Sequence, residues 1–274
     1  MFATFRTELV KQWRRPRTYV ALGLTVAVPI IIAIALKANP PSAPEGDGGG
    51  GIFFFGSTVT GLLLPVAALR VMSRFLLVIV VALFAGDAVA SESSWGNLRA
   101  LLTRPIGRGR LLSAKFATVC LFTLLATSLV VIAGLGAGGI AFGWHAVDVP
   151  QLGLHFTTAN VIGNLALSVL YVTWSLGGVV ALSFMVSTMT DAPAAAVFSG
   201  VGLYIVSQIL DGITAIPQGL RNVMPTHYFD AWADLFERGG SAPDMWRGVL
   251  LQVPYILVFC SIAWWWFRRK DILS

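Results

Sequence analysis

Residues 87–115 read DAVASESSWGNLRALLTRPIGRGRLLSAK. Five cations, Arg99, Arg104, Arg108, Arg110 and Lys115, lie within 91–115, between one apolar run and the next. The side of the membrane this polar stretch occupies decides the number of spans. Apolar runs of the ~17–20 residues needed to cross a hydrocarbon core occur near 19–36, 71–90, 115–142, 161–187, 193–211 and 249–267. The third and fourth exceed that need, so tilt, bending or extension beyond the bilayer is expected. Residues 52–69, IFFFGSTVTGLLLPVAAL, are apolar too. They read as a seventh span, a re-entrant segment or an outward extension of the second helix. With six spans, 91–115 shares a side with the five basic residues of the N-terminus and the three at 268–270, which gathers 13 of the 19 Lys and Arg. A seventh span would move the cluster outside, against the positive-inside bias. Charge selects six spans, with both termini in the cytoplasm.

Composition agrees with lipid as the solvent. The chain is 56% hydrophobic and 12% charged, whereas soluble domains carry about 25% charge. The net charge of +6 sits in short flanks beside apolar runs, the distribution of topology signals and not of a nucleic-acid face. Cys120 and Cys260 lie inside apolar runs and read as small hydrophobes. The first apolar run is long and no small-residue cleavage site follows it, so it reads as a span and not a removable signal. The expected fold is an all-α integral membrane protein of six transmembrane helices, a single transmembrane domain over 1–274, multi-pass in the inner (cytoplasmic) membrane.

The flanks refine this picture. In residues 1–18, Phe2, Phe5, Leu9 and Trp13 recur at helical spacing, with Arg6, Lys11, Gln12, Arg14, Arg15 and Arg17 on the remaining face. The pattern predicts an amphipathic helix on the inner membrane surface, ended by Pro16; the plainer reading is a basic flank. Residues 37–51 form a Pro- and Gly-rich loop. Residues 212–248 form the largest outer segment, predicted to carry short helices at the interface. Trp264, Trp265 and Trp266, followed by Arg268, Arg269 and Lys270, read as an aromatic belt and basic anchor at the inner end of the last helix.

Within 91–113, Trp95, Leu98, Leu101 and Leu102 share a helical face, Arg99, Arg104, Arg108 and Arg110 ring it, and Pro105 with Gly107 break it. A short amphipathic helix lying along the membrane suits docking into a groove on a cytoplasmic partner, or rests on the bilayer with no partner. Arg70 and Arg74, four apart near the outer end of the second helix, are candidates for contact with an anionic substrate or with lipid headgroups; snorkelling to the interface is the ordinary alternative. Asp87 and Asp211, at helix ends, call for pairing with a nearby Arg. Gly134, Gly136 and Gly139 satisfy a G-x-G-x-x-G pattern without a preceding strand, so close helix packing through the pairs Gly134/Gly138 and Gly139/Gly143 is the better reading. Their partner, a second copy or another helix, is open at this point. His145, His155 and His227 form no ligand spacing.

The residues Glu92, Gly96, Leu101-Leu102, Pro105, Arg108, Leu111-Leu112 and Lys115 resemble the acidic–Gly–Leu-Leu–Pro–Arg–Lys stretch of ABC-2 type transporter permeases. There it forms the loop and coupling helix between the second and third spans. TELVKQWRRPRTY resembles the basic elbow helix before their first span, and the elbow residues expected here are Phe5, Leu9, Trp13, Arg14 and Arg15. LLTRPIGRGRLLSAKF is similar to the NosY-like group, some of which serve copper-site maturation. Gly96-Asn97 stands where the family often has Gly-Thr, and Ser93-Ser94 where a second acid is frequent.

The resemblance implies a permease subunit and no enzyme by itself. Its expected ATPase-coupling residues are Glu92, Trp95, Gly96, Leu98, Arg99, Leu101, Leu102, Arg104, Pro105 and Arg108. No G-x-x-x-x-G-K-[ST] loop occurs in the chain, so ATP and Mg would be held by a separate ABC ATPase in two copies, with a second permease copy, identical or a paralogue, completing the complex. No resident cofactor, metal or nucleic acid is expected. Export of an amphipathic or lipid-like substrate is the leading expectation, and mechanical coupling to an extracytoplasmic protein through 212–248 the second. An intramembrane enzyme would need clustered His, Asp or Ser at one depth, and an ion-coupled transporter would need charge near the midplane; neither pattern is present in the sequence.

Overall fold

The computed structural model describes residues 2–39, 61–94, 107–144, 147–149, 154–237 and 243–269. The described chain is a helical bundle in which six stretches are long and apolar enough to cross a membrane. In chain order, α1 (Phe2–Trp13) leads into α2 (Pro16–Ala38). A short α3 (Leu64–Ser73) is followed by α4 (Leu76–Ser94) and the long α5 (Arg108–Phe142). A hairpin of β1 (Val147–Val149) and β2 (Leu154–Phe156), paired antiparallel with Asp148 opposite His155, is the β structure among the described residues. Then come α6 (Thr158–Ser175), α7 (Gly177–Met189) and α8 (Pro193–Gly212). The short α9 (Gln218–Arg221), a 3-10 turn at Ala231–Ala233 and α10 (Asp234–Glu237) precede the last helix, α11 (Pro243–Arg269).

The all-α membrane fold expected from the sequence is the fold observed, and three boundaries differ for identifiable reasons. Pro16 does not end the first helix but starts the second: α1 stops at Trp13, and proline's fixed φ and missing N–H suit the first position of α2. The second span begins at Leu76 and not at residue 71, because the chain turns at Arg74–Phe75. Residues 64–73 form an extension of that helix, broken from it, while 52–60 lie outside the described residues. The third helix starts at Arg108, seven residues before Lys115, since Gly107 takes an extended conformation and serves as its N-cap. The long fourth span is two helices interrupted at Leu176.

α4 is the hub. Up to Gly86 it is apolar all round, and it buries Leu77, Val78, Val81, Phe84, Ala85 and Val89 among α5, α7 and α8, as a helix without a solvent face should. One side chain of a neighbouring helix bonds directly to its backbone. The Ser187 hydroxyl of α7 accepts the Val89 and Ala90 N–H groups at 3.1 and 2.9 Å and donates to the Gly86 carbonyl at 2.7 Å. By contrast α2, α8 and α11 keep broad aliphatic faces outward, with Ile31 and Ile34, Phe198 and Ile209, Leu257 and Val258 all exposed. Those faces are suited to lipid. The buried stripe of α2, Thr18, Ala21, Leu22, Thr25, Pro29 and Ala33, recurs every three or four residues and packs on α5. In α5, the hydroxyls of Thr118, Thr123 and Thr127 donate to the carbonyls four residues earlier, which satisfies them where no water competes.

The glycines of α5 find their partner within the chain. A methyl group on Gly134 would come within 2.7 Å of Pro65 Cα, and one on Gly138 within 2.3 Å of the Gly61 carbonyl oxygen. The small-residue face therefore admits the start of α3, and the Gly61 N–H donates to the Gly143 carbonyl at 3.2 Å. Gly139 lies instead beneath the Trp144 indole.

Candidate coupling site at the α1 end of the bundle

The site begins with an inverted helix. On α1 the buried side chains are polar, Glu8 and Gln12, one turn apart, while Val10 and Trp13 are exposed. The polar stripe meets the end of α4 and the start of α5, where Glu92 and Lys115 are 6% and 3% exposed. Lys115 Nζ lies 2.8 Å from Glu8 Oε2 and 2.7 Å from Glu92 Oε2. It also donates to the Ala88 carbonyl at 3.1 Å. Lys11 Nζ lies 3.2 Å from Glu8 Oε1 and 3.2 Å from Glu92 Oε1. Each lysine thus bridges the same two carboxylates, and the four side chains close a ring across three helices.

A second knot adjoins it. Arg15 Nη1 contacts Asp87 Oδ2 at 2.7 Å and donates to the Asp87 carbonyl at 3.1 Å, and Arg17 Nη1 lies 3.2 Å from Asp87 Oδ1. The pairing of Asp87 with arginine expected from its position is therefore present. The two arginines flank Pro16, so the corner between α1 and α2 is fixed to α4 directly. The Ser91 hydroxyl returns to the Asp87 carbonyl at 2.5 Å. Ser93 bonds Asp191 beyond α7, and Arg108 Nη1 donates to the Arg268 carbonyl at 3.0 Å, so the ends of α4, α5, α7 and α11 are joined as well.

Burial alone pushes the Glu8 carboxyl up, and the attraction of Lys115 and Lys11 outweighs it, holding Glu8 below its ordinary value of 4.5. For Lys11 burial works downward, and Glu92 with Glu8 outweighs it, raising the ammonium above its ordinary 10.5. Both shifts favour the charged forms of Glu8 and Lys11 at neutral pH. Removing one partner from a buried pair costs about 3–5 kcal/mol, because the other charge stays buried and uncompensated. What the ring can do chemically is hold: it offers a mechanical joint between α1, α4 and α5.

Of the residues singled out from the sequence, Glu92 is in the ring and Arg108 is bonded to the last helix. Trp95, Gly96, Leu98, Arg99, Leu101, Leu102, Arg104 and Pro105 lie outside the described residues. On α1, Arg15 reaches Asp87. Phe5 and Leu9 are half-buried and Arg14 is exposed, while Trp13 packs its ring 5.9 Å from that of Phe122. At the other end of the bundle, Arg74 Nη2 is 2.5 Å from Asp230 Oδ2, and Arg70 on α3 is half-buried. Asp211 Oδ1 accepts His227 Nδ1 at 2.6 Å and has Arg221 Nε at 3.5 Å. Glu8 was not among the residues singled out, although it is the one acid in residues 1–44 and is set among the five cations of residues 1–17.

A family model described as "Protein of unknown function (DUF2705)" matches residues 55–273. The chain is 25% identical over 203 residues to the uncharacterized protein YhcI of Bacillus subtilis (strain 168), covering 70% of this chain and 63% of that one. It is 36% identical over 97 residues to the probable ABC transporter permease protein NosY of Pseudomonas aeruginosa, covering 33% and 34%. It is 27% identical over 237 residues to the protein of the same name from Stutzerimonas stutzeri, covering 78% and 82%. The chain thus spans less than two thirds of the length of YhcI and about a third of the Pseudomonas protein. The resemblance to NosY-like ABC permeases read from residues 92–115 is borne out by these relatives. Because the matched model extends over well more than half of its length, the chain belongs to the DUF2705 family of proteins of unknown function.

Proposed function

We propose that this chain is the membrane-spanning permease subunit of an ABC-2 type ATP-binding cassette transporter in the cytoplasmic membrane, with both termini inside. Two copies of a separate ABC ATPase bind beneath a pair of permease chains, and ATP with Mg is held there. The observation that carries the proposal is the ring of Glu8, Lys11, Glu92 and Lys115. It joins the helices on either side of residues 95–106 to each other and to α1. A push on that segment by the ATPase is then delivered to α1, α4 and α5 together, and through Arg15 and Arg17 to the first span. That is the rigid-body kind of switching described for transporters. The spans offer Gly, Ser, Thr and aromatic side chains and few charges, which favours an amphipathic or lipid-like substrate moved outward.

A second reading keeps the ATPase and replaces transport by a mechanical push on an extracytoplasmic protein. It is favoured by the segment 220–236, which is fastened to the spans: Tyr171 and Tyr255 donate to the carbonyls of Tyr228 and Val223 at 2.6 and 2.9 Å. ATPase activity that responds to a partner protein and to no small molecule would select it.

The test is purification of the tagged chain from native membranes in mild detergent, with mass spectrometry of what accompanies it. A stoichiometric phosphate-loop ATPase is expected. Double charge reversal, Arg99→Glu with Arg104→Glu, is expected to weaken that association at least tenfold while membrane insertion stays normal. Normal assembly of the double variant would remove residues 95–106 from the docking role, and reproducible absence of any ATPase would remove the proposal.

A further inference from the structure

α8 and α11 both pack on α7 and scarcely touch each other. The cleft between them is floored by Gly178 and Val179 and walled by Leu203 and Phe259, and Phe229 of the segment before α11 closes its end. In that closed end sits Gln252, 3% exposed. Its amide nitrogen donates to the Pro225 carbonyl at 2.7 Å. Its Oε1 is buried and receives no hydrogen bond among the described residues, although Ser175, Tyr204 and Thr226 also line the pocket. Thr226 is engaged with Ser207, Tyr204 accepts from Gln208, and Ser175 Oγ, like Gln252 Oε1, is buried without a hydrogen-bond partner among the described residues. Beside Gln252 there is room for one water-sized group, about 10 Å³, enough for a single hydroxyl or amide. A buried acceptor left without a donor costs about 1–3 kcal/mol, so a donor arriving from outside is favoured.

Depth identifies the donor's source. Gln252 is 16 residues before Arg268, about 24 Å along the helix. With Arg268 and Arg269 at one membrane surface, the pocket lies near the opposite boundary of a hydrocarbon core of ~30 Å. Away from Gln252 the lining is apolar, Val179, Leu203 and Phe259, and both helices also expose aliphatic side chains, Val206 on α8 and Leu257, Val258 and Ile262 on α11. We infer that the α8–α11 cleft is a binding site for a single-chain lipid with a hydroxyl or amide donor in its headgroup. The donor bonds Gln252 Oε1 and the acyl chain lies between the two helices. This deepens the proposed function, and as a transport site it rests on that reading; the binding step stands alone.

The experiment loads the chain, in nanodiscs, with 1-monooleoylglycerol as the probe and with methyl oleate, which lacks a donor, as competitor; native mass spectrometry reads occupancy. One monooleoylglycerol per chain is expected, displaced at least tenfold less well by methyl oleate than by unlabelled probe. Gly178→Ala puts a methyl group 2.8 Å from Gln252 Oε1, which displaces the amide or fills the donor's place, and is expected to lower occupancy at least tenfold. Leu203→Trp should do the same by blocking the cleft. Wild-type occupancy in both variants, or equal competition by methyl oleate, overturns the site; if a variant melts early, the competition on the wild-type chain decides alone. Copurifying ATPase is scored on the same material. Binding without ATPase removes the transporter reading and keeps the site, and ATPase without binding does the reverse.

Discussion

The two ends of the bundle solve the same problem, joining helices far apart in sequence, with different chemistry. At the α1 end the joint is ionic and buried: Lys115, Glu8 and Glu92 have side chains 2%, 8% and 7% exposed. At the opposite end the pairs are wetter. Arg74 and Asp230 are 53% and 34% exposed, and Asp211 and His227 are 20% and 21%. There most of the fastening comes from side chains donating to loop carbonyls. Buried charges resist being pulled apart, because each must stay paired, and half-exposed ones exchange with water at little loss. The α1 end is thus built to move as one piece, and the opposite end to yield.

Breaking one member at each end gives the largest contrast. Lys115→Met leaves two buried carboxylates with only Lys11 between them, and a loss of about 3–5 kcal/mol is expected, visible as a large fall in melting temperature in detergent. Adding Glu92→Gln leaves one carboxylate, Glu8, paired with Lys11 and should recover most of it. Arg74→Ala, at the wet end, should lose no more than about 1 kcal/mol. An equal effect of the two single variants would erase the contrast.

Gly138→Ala is expected to rank next. The new methyl group meets the Gly61 backbone, and neither backbone can yield like a side chain, so about 1–3 kcal/mol of overpacking follows. Gly136→Ala, with nothing near its added methyl, is the matched control on the same helix.

Ser187→Ala should be milder, about 1–2 kcal/mol. The Val89 and Ala90 amides lose this acceptor, and hydrogen exchange should speed up at these two positions first. Unchanged exchange there would mean the helix's own ladder suffices.

The smallest effect expected is that of pH near neutrality. Glu8 is lowered below its ordinary 4.5, so its contribution is complete above that value and is lost as pH falls through the lowered one. Lys11 is raised above 10.5, so its contribution is complete below that value and is lost as pH rises through the raised one. Attachment of α1 should be flat between about pH 5 and 10. Spin labels at Thr7→Cys and Arg110→Cys, read by their separation, should move apart outside that window and hold still within it.

The parts legible beforehand were those written in local periodicity. Runs of apolar residues marked all six spans, basic flanks marked their number, and the spacing of Gly134 and Gly138 announced a close contact. Asp87 at a helix end announced its arginines. The ring was only half visible. Glu92 and Lys115 stood out in one stretch, but Glu8 is 107 positions from Lys115, and no local pattern joins them. The turn at Arg74–Phe75 was invisible because RVMSRFLL contains no Pro or Gly; tertiary contacts, including the pull of Asp230 on Arg74, accompany it. Of the residues expected to meet the ATPase, Glu92 and Arg108 are placed, and those from Trp95 to Pro105 lie outside the described residues.

The length of α5 has a geometric consequence. Thirty-five residues make a rod of about 52 Å, against a hydrocarbon thickness of ~30 Å. The rod is gripped by the ring at Lys115, two turns from its start, so any rotation imposed there is magnified with distance. A tilt of about ten degrees displaces the bilayer's far face by ~5 Å and the tip, at Phe142 about 40 Å from the grip, by ~7 Å. The helix is a lever whose long arm ends at the hairpin.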